Sequence, residues 1–213
     1  MRIAADGTEL AFLARSLRRE GTGRRIVGLA GSPGAGKSTL APALAALVSS
    51  RAVVVPLDGF HLADDQLVAQ GLLDRKGAPE TFDAWGFAAL LGRLRARPAH
   101  AVYAPGFDRD VEQPFAGAIA VPPDVSLVIA EGNYLLLDRP EWREVRAMLD
   151  VAWFLHTDEE GRVQRLLARH MASGKSLDEA RAWVARIDEP NARLVAESRV
   201  RADLEVDLTA WRP

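Results

Sequence analysis

GSPGAGKS, Gly31 to Ser38, decides how the rest of this chain is read. It matches G-x-x-x-x-G-K-[ST] and stands where that pattern has meaning, between an apolar strand-like run and a helix-like run. The run before it is RIVGLA, Arg25 to Ala30; the run after it is STLAPALAALVSS, with Pro42 expected in about the first turn. Glycines let the backbone curl so that successive N–H groups face phosphate oxygens. The following helix adds its positive N-terminal end. The Lys37 ammonium can reach β- and γ-phosphates, and the Ser38 hydroxyl can ligate Mg²⁺. Gly31, Ser32, Gly34, Ala35, Gly36, Lys37, Ser38 and Thr39 are therefore the candidate nucleotide-binding residues.

Outward from this loop, strand-like and helix-like stretches alternate. AVVVPL (52–57), SLVIAEG (126–132), DVAWFLH (150–156) and DLEVDL (203–208) read as further strands. Leu10–Glu20 and Asp83–Ala96 carry apolar residues at helical spacing, the second with Trp85, Leu90, Leu91 and Leu94. Thr157 with Glu160, and Ser176 with Glu179, have capping-box spacing, and Pro190 suits a helical first turn. Such alternation implies an α/β domain around a mostly parallel sheet. Between about 100 and 122 two short β-like pieces, 101–103 and 118–121, flank a loop rich in Pro, Gly and Asp, as in a hairpin excursion. No linker divides residues 1–213, and Gly174 and Lys175, between two helices, are the candidate hinge.

With no cysteine, the chain has no disulfide, thiolate metal site or cysteine nucleophile. A net charge of −2 gives no basis for a nucleic-acid or membrane partner. MRIAADGTEL lacks a signal pattern, and no apolar run approaches the roughly 20 residues a spanning helix needs. A cytoplasmic location is expected; oligomeric state is not readable, and a homodimer stays open.

The second decisive stretch is PLDGFHLADD, Pro56 to Asp65. It follows AVVV, at the carboxyl end of a strand, where ligands sit in such sheets. Asp58 is there placed to take the proton of an attacking hydroxyl. Asp64 and Asp65 read as helix caps, and His61 as either a substrate contact or a loop histidine.

GSPGAGKST, PLDGFH, EGNYLLLD and RLLARH occur in this order. Together they resemble the uridine kinase, pantothenate kinase and phosphoribulokinase group of P-loop kinases, over roughly Arg25 to Leu208. D-G-F is closer to the bacterial pantothenate kinase version than to the uridine kinase D-S-F. The whole also resembles uridine-kinase-like proteins linked to sugar transport. The resemblance implies a five-stranded parallel sheet of order 2-3-1-4-5 with a helical lid, here about 158–188. It implies ATP and Mg²⁺ as cofactors, Asp58 as the general base and Glu131 as the Walker-B-type acid on magnesium, with Ser38. It makes Arg169, then Arg165, the lid cations for the transferring phosphoryl group, against the plain reading of Arg162, Arg165 and Arg169 as a solvated basic face. It implies acceptor contacts at Phe107, Asp108 and Arg109, and more loosely at Asn191. Tyr134 lines the pocket or packs in the core. The expected partner is a small-molecule hydroxyl acceptor: nucleoside, pantothenate-like compound or sugar. The alternative is an NTPase switch or chaperone-like protein, although a guanine-reading N-K-x-D is absent.

Overall fold

A computed structural model describes residues 2–4, 7–17, 23–48 and 51–211. Residues 18–20 of the expected first helix lie outside them. The strands are β1 (Arg2–Ala4), β2 (Arg25–Ala30), β3 (Ala52–Pro56), β4 (Val102–Asp108), β5 (Gln113–Val121), β6 (Leu127–Glu131), β7 (Val151–His156) and β8 (Leu204–Asp207). Six of them form one sheet in the order β1-β8-β7-β2-β6-β3, with every neighbouring pair parallel. The five strands legible in the sequence take the expected order. The sheet is extended by β1, whose three residues are too short to carry a period-2 signal.

Alternate residues of the central strands feed two cores, because successive side chains leave opposite faces. Ile26, Val128 and Phe154 join Phe87, Leu91, Leu94, Trp142 and Val195 on one face. These come from α4 (Ala84–Ala96), α5 (Pro140–Ala147) and α8 (Glu189–Glu197). Val27, Ile129 and Trp153 join Leu10, Leu13, Leu17, Leu40 and Leu44 on the other, from α1 (Gly7–Leu17) and α2 (Lys37–Val48). With both faces covered, β6 is buried along its whole length, as a parallel strand requires. Trp85 departs from the expected stripe and is exposed. Pro42 lies in the second turn of α2, so the Ser38 carbonyl lacks its helical donor.

The hairpin β4–β5 stands apart as its own two-stranded sheet. Its strands are longer than the short pieces expected. Pro105 and Gly106, read as loop signals, lie inside β4 at a break in register between Ala104 and Gly106. Such residues also mark bulges.

Helix α6 (Glu159–Ala172) is capped by Asp158, which accepts from Gly161 N at 2.6 Å, and not by Thr157. The capping box of Ser176 and Glu179 on α7 (Leu177–Trp183) is formed in both halves. A π turn over Val184–Asp188 then leads into α8, where Pro190 sits in the first turn. The helix α3 (Asp64–Ala69) begins after Ala63, so Asp64 and Asp65 are first-turn residues and not caps. No described helix is long and apolar enough to cross a membrane.

Candidate active site

β2 delivers the chain into the loop 31–36, where Gly34 and Gly36 have φ of 79° and 95°, a region closed to most side chains. Lys37 opens α2 and is 7% exposed. Its ammonium donates to Gly31 O at 2.9 Å, Ser32 O at 3.1 Å and Asn133 Oδ1 at 2.5 Å. All three are neutral oxygens. Burial pushes its pKa down to about 8, against the pull of the Glu131 and Asp58 carboxylates. A buried cation held only by neutral acceptors is poised for an anion, which is the fit a phosphate requires.

β3 and β6 run side by side with Pro56 opposite Glu131, so Asp58 and Glu131 emerge at the same sheet edge. Ser38 Oγ donates to Glu131 Oε1 at 3.0 Å. Burial, and then the charge of Asp58, push Glu131 up to about 7, while Lys37 pulls it back. Among the described residues no cluster of three or more His, Cys, Asp or Glu could cage a metal. The oxygen pair Ser38 and Glu131 instead suits a magnesium ion completed by phosphate oxygens and water.

Asp58 lies in a single 3₁₀ turn, Leu57–Phe60. Its Oδ2 accepts from Arg109 Nη2 at 3.1 Å. The Nδ1 of His61 is 2.9 Å from the Asp58 carbonyl, which can only accept, so Nδ1 carries the proton. Burial pushes the His61 pKa down, which favours the neutral ring and leaves Nε2 as a hydrogen-bond acceptor. The ring lies against Phe82, at 3.9 Å, and Phe107, at 4.8 Å between centroids. A cavity of about 570 Å³ opens here, bounded by Asp58, His61, Phe107, Arg109, Asn133 and Arg169 among others.

Not every residue expected in the site reaches it. Asp108 is not on the cavity wall; its Oδ1 accepts from Asp110 N at 2.9 Å and Val111 N at 3.3 Å, holding the hairpin turn. Tyr134 is fully buried against Phe82 and Trp142, and burial pushes its pKa up. Its hydroxyl donates to the Gly77 carbonyl, and Asn191 Nδ2 donates to the same oxygen at 3.4 Å. These two pin the Gly77 segment, which itself lines the cavity.

The arginines of α6 have three different environments. Arg162 is buried, paired with Glu159 and Glu189, and donates to Pro33 O at 3.2 Å, so the solvated-face reading fails for it. Arg165 donates to Gly34 O and to Thr157 Oγ1, both at 2.9 Å. Arg169 faces the cavity, 3.8 Å from Asp188. His170 Nε2 donates to Asp188 Oδ2 at 2.7 Å, and both residues line the cavity. Asn133, Lys76 and Asp188 were not singled out from the sequence. Asn133 had a signal: it stands two residues beyond Glu131, past the end of a core strand.

A sequence model of the phosphoribulokinase/uridine kinase family matches residues 26–210. The YggC protein of Escherichia coli K12 is 36% identical over 196 residues, covering 87% of this chain and 78% of that protein. The Schizosaccharomyces pombe protein named "Putative uridine kinase C227.14" is 33% identical over 195 residues, covering 85% and 82%. A solved structure from Silicibacter sp. TM1040, described as a "putative fructose transport system kinase", superposes with a TM-score of 0.84 at 42% identity, covering 92% of this chain and 98% of that one.

Proposed function

The chain belongs to the phosphoribulokinase/uridine kinase family of P-loop kinases, and from that premise we propose that it transfers the γ-phosphoryl group of ATP to a hydroxyl of a small polyol, with Asp58 as general base. The observation that carries this reading is Asn133. It lines the cavity that holds Asp58, and its Oδ1 holds the Lys37 ammonium. The acceptor space therefore opens directly onto the phosphate loop.

Each residue has a role that follows from its surroundings. The loop amides and Lys37 bind the phosphates, and Lys37 exchanges neutral oxygens for anionic ones. Ser38 and Glu131 would hold magnesium, whose charge offsets that of the phosphates. Asp58 accepts the hydroxyl proton through Oδ1, which has no partner among the described residues, while Arg109 occupies Oδ2. Arg169 faces developing charge from across the cavity, and Arg165 supports the loop at Gly34. His61 Nε2 accepts from a second hydroxyl of the acceptor, and Phe107 gives an apolar face for its CH groups. Because Arg162 and Arg165 fasten the first half of α6 to the phosphate loop, lid closure is carried by the later part of 158–188, about Gly174.

ADP release in the presence of ATP and Mg²⁺ tests this, with fructose, uridine, pantothenate or no acceptor added. Stimulation by one alcohol supports the kinase. Release at the same rate with and without any acceptor marks an NTPase and removes the reading.

A further inference from the structure

Gly59 stands between Asp58 and Phe60. Its backbone is not in the left-handed region, so conformation alone does not demand glycine there. Space does. A Cβ on Gly59 would lie 2.5 Å from the carbonyl oxygen of Pro105 and 2.8 Å from its carbonyl carbon, both backbone atoms. Pro105 sits at the register break of β4, where no β5 residue is paired with it. The hairpin thus turns a piece of backbone out of its own ladder and lays it on the turn that bears Asp58. The next residue is also tightly placed within the hairpin, since a Cβ on Gly106 would lie 2.8 Å from the Ala118 Cβ of β5.

From this seat the next residues of β4 arrive where the site needs them. Phe107 reaches the His61 ring at 4.8 Å, and Arg109 reaches Asp58 Oδ2 at 3.1 Å. We propose that Gly59 is a positioning and specificity-determining residue: its missing side chain seats the β4–β5 hairpin on the catalytic turn and so sets the width of the acceptor cavity. This rests on the kinase reading. A side chain at 59 pushes the hairpin outward by about an ångström, and a misplacement of that size can cost about 10²-fold in rate. The nucleotide half has no part in the contact. ATP affinity is therefore spared, and acceptors bulkier than the native one gain relative to it.

The test uses Gly59→Ser and the milder Gly59→Ala in the full chain. Hydrogen exchange is measured first, without substrates. Exchange should quicken in β4 and β5 while the loop 31–39 and α2 stay as in wild type. Unchanged exchange in the hairpin of both variants overturns the proposal. Steady-state kinetics follow, with whichever of fructose, uridine or pantothenate stimulates wild-type ADP release. The expected result is an acceptor kcat/KM lower by about 10- to 100-fold, an unchanged ATP KM, and little further loss when Arg109→Gln is added to Gly59→Ser. Full acceptor kcat/KM in the variants, or an equal loss in ATP KM, overturns the proposal and leaves the kinase reading standing. A wild type whose ADP release ignores every acceptor removes the kinase reading, and this proposal with it.

Discussion

The glycines of the phosphate loop and those of the acceptor side answer different needs. Gly34 and Gly36 have φ of 79° and 95°, so the backbone itself excludes other residues. Gly59 and Gly132 have no such φ; they are glycine because another segment occupies the place of a Cβ. At Gly59 that segment is Pro105, and at Gly132 it is the Leu57 side chain, 2.5 Å away. The first need is local and can be read from eight consecutive letters. The second appears only when residues 46 or 75 positions apart in the chain meet (Gly59 with Pro105, Leu57 with Gly132). Gly34 adds the second need to the first, since a Cβ there would lie 2.8 Å from the Arg162 carbonyl oxygen. The nucleotide half is thus built by conformation as well as fit, and the acceptor half by fit alone.

The sharpest division between the halves is expected at Asp58. Asp58→Asn keeps shape and removes the proton acceptor, and loss of a general base costs about 10²- to 10⁴-fold in rate. ADP binding, measured by calorimetry, should be unchanged, because Lys37 and the loop amides are untouched. Loss of ADP binding together with turnover would mean the two halves are not separable. On the acceptor wall, Arg109→Gln removes one charged hydrogen bond to Asp58. Because that pair is well exposed, the expected rise in acceptor KM is about tenfold. An unchanged acceptor KM would take Arg109 off the wall.

This division also explains what was legible. The loop between β2 and α2 could be located without a structure, because motif, strand and helix are contiguous. The place of Asp58 just past β3 was legible because a strand end is a positional signal in a parallel sheet. The same logic reaches Asn133, but its use depends on Lys37 bending back to it, which no spacing announces. The extent of β4 was obscured because proline and glycine were read as turn signals where they mark a bulge. Spacing put Arg162 with Arg165 and Arg169 on one helix side; only packing shows that Arg162 is buried under the loop.

Glu131 lies where the halves meet, and pH reports on it. Burial and Asp58 raise its pKa from 4.5 to about 7 in the folded chain. Between those values the folded protein holds more protons than the unfolded chain, so stability falls as pH rises through this window. Glu131→Gln removes the titrating group. The melting temperature of the variant relative to wild type should therefore climb from pH 4.5 to pH 7, by about 2–4 °C for each kcal/mol relieved. A constant difference across the window would mean that Glu131 is not held in its protonated form by its surroundings.

The smallest effect separates two readings of Asp108. Sequence resemblance places it among acceptor contacts; the structure gives its Oδ1 to two backbone amides of the hairpin turn, Asp110 N and Val111 N. An asparagine can make the same turn, since its side-chain oxygen accepts as the carboxylate does, but it carries no charge. An alanine can do neither. If Asp108 serves the turn, Asp108→Asn should be close to wild type in melting temperature and in acceptor KM. Asp108→Ala should lose about 1 kcal/mol, or about 2–4 °C, with a modest acceptor effect passed on through Arg109. If Asp108 binds the acceptor through its charge, the order reverses: asparagine raises acceptor KM as much as alanine, and neither change need lower the melting temperature. Comparing the two variants in both measurements decides whether fit on the acceptor side is made by side chains that touch the acceptor, or by turns that hold those side chains in place.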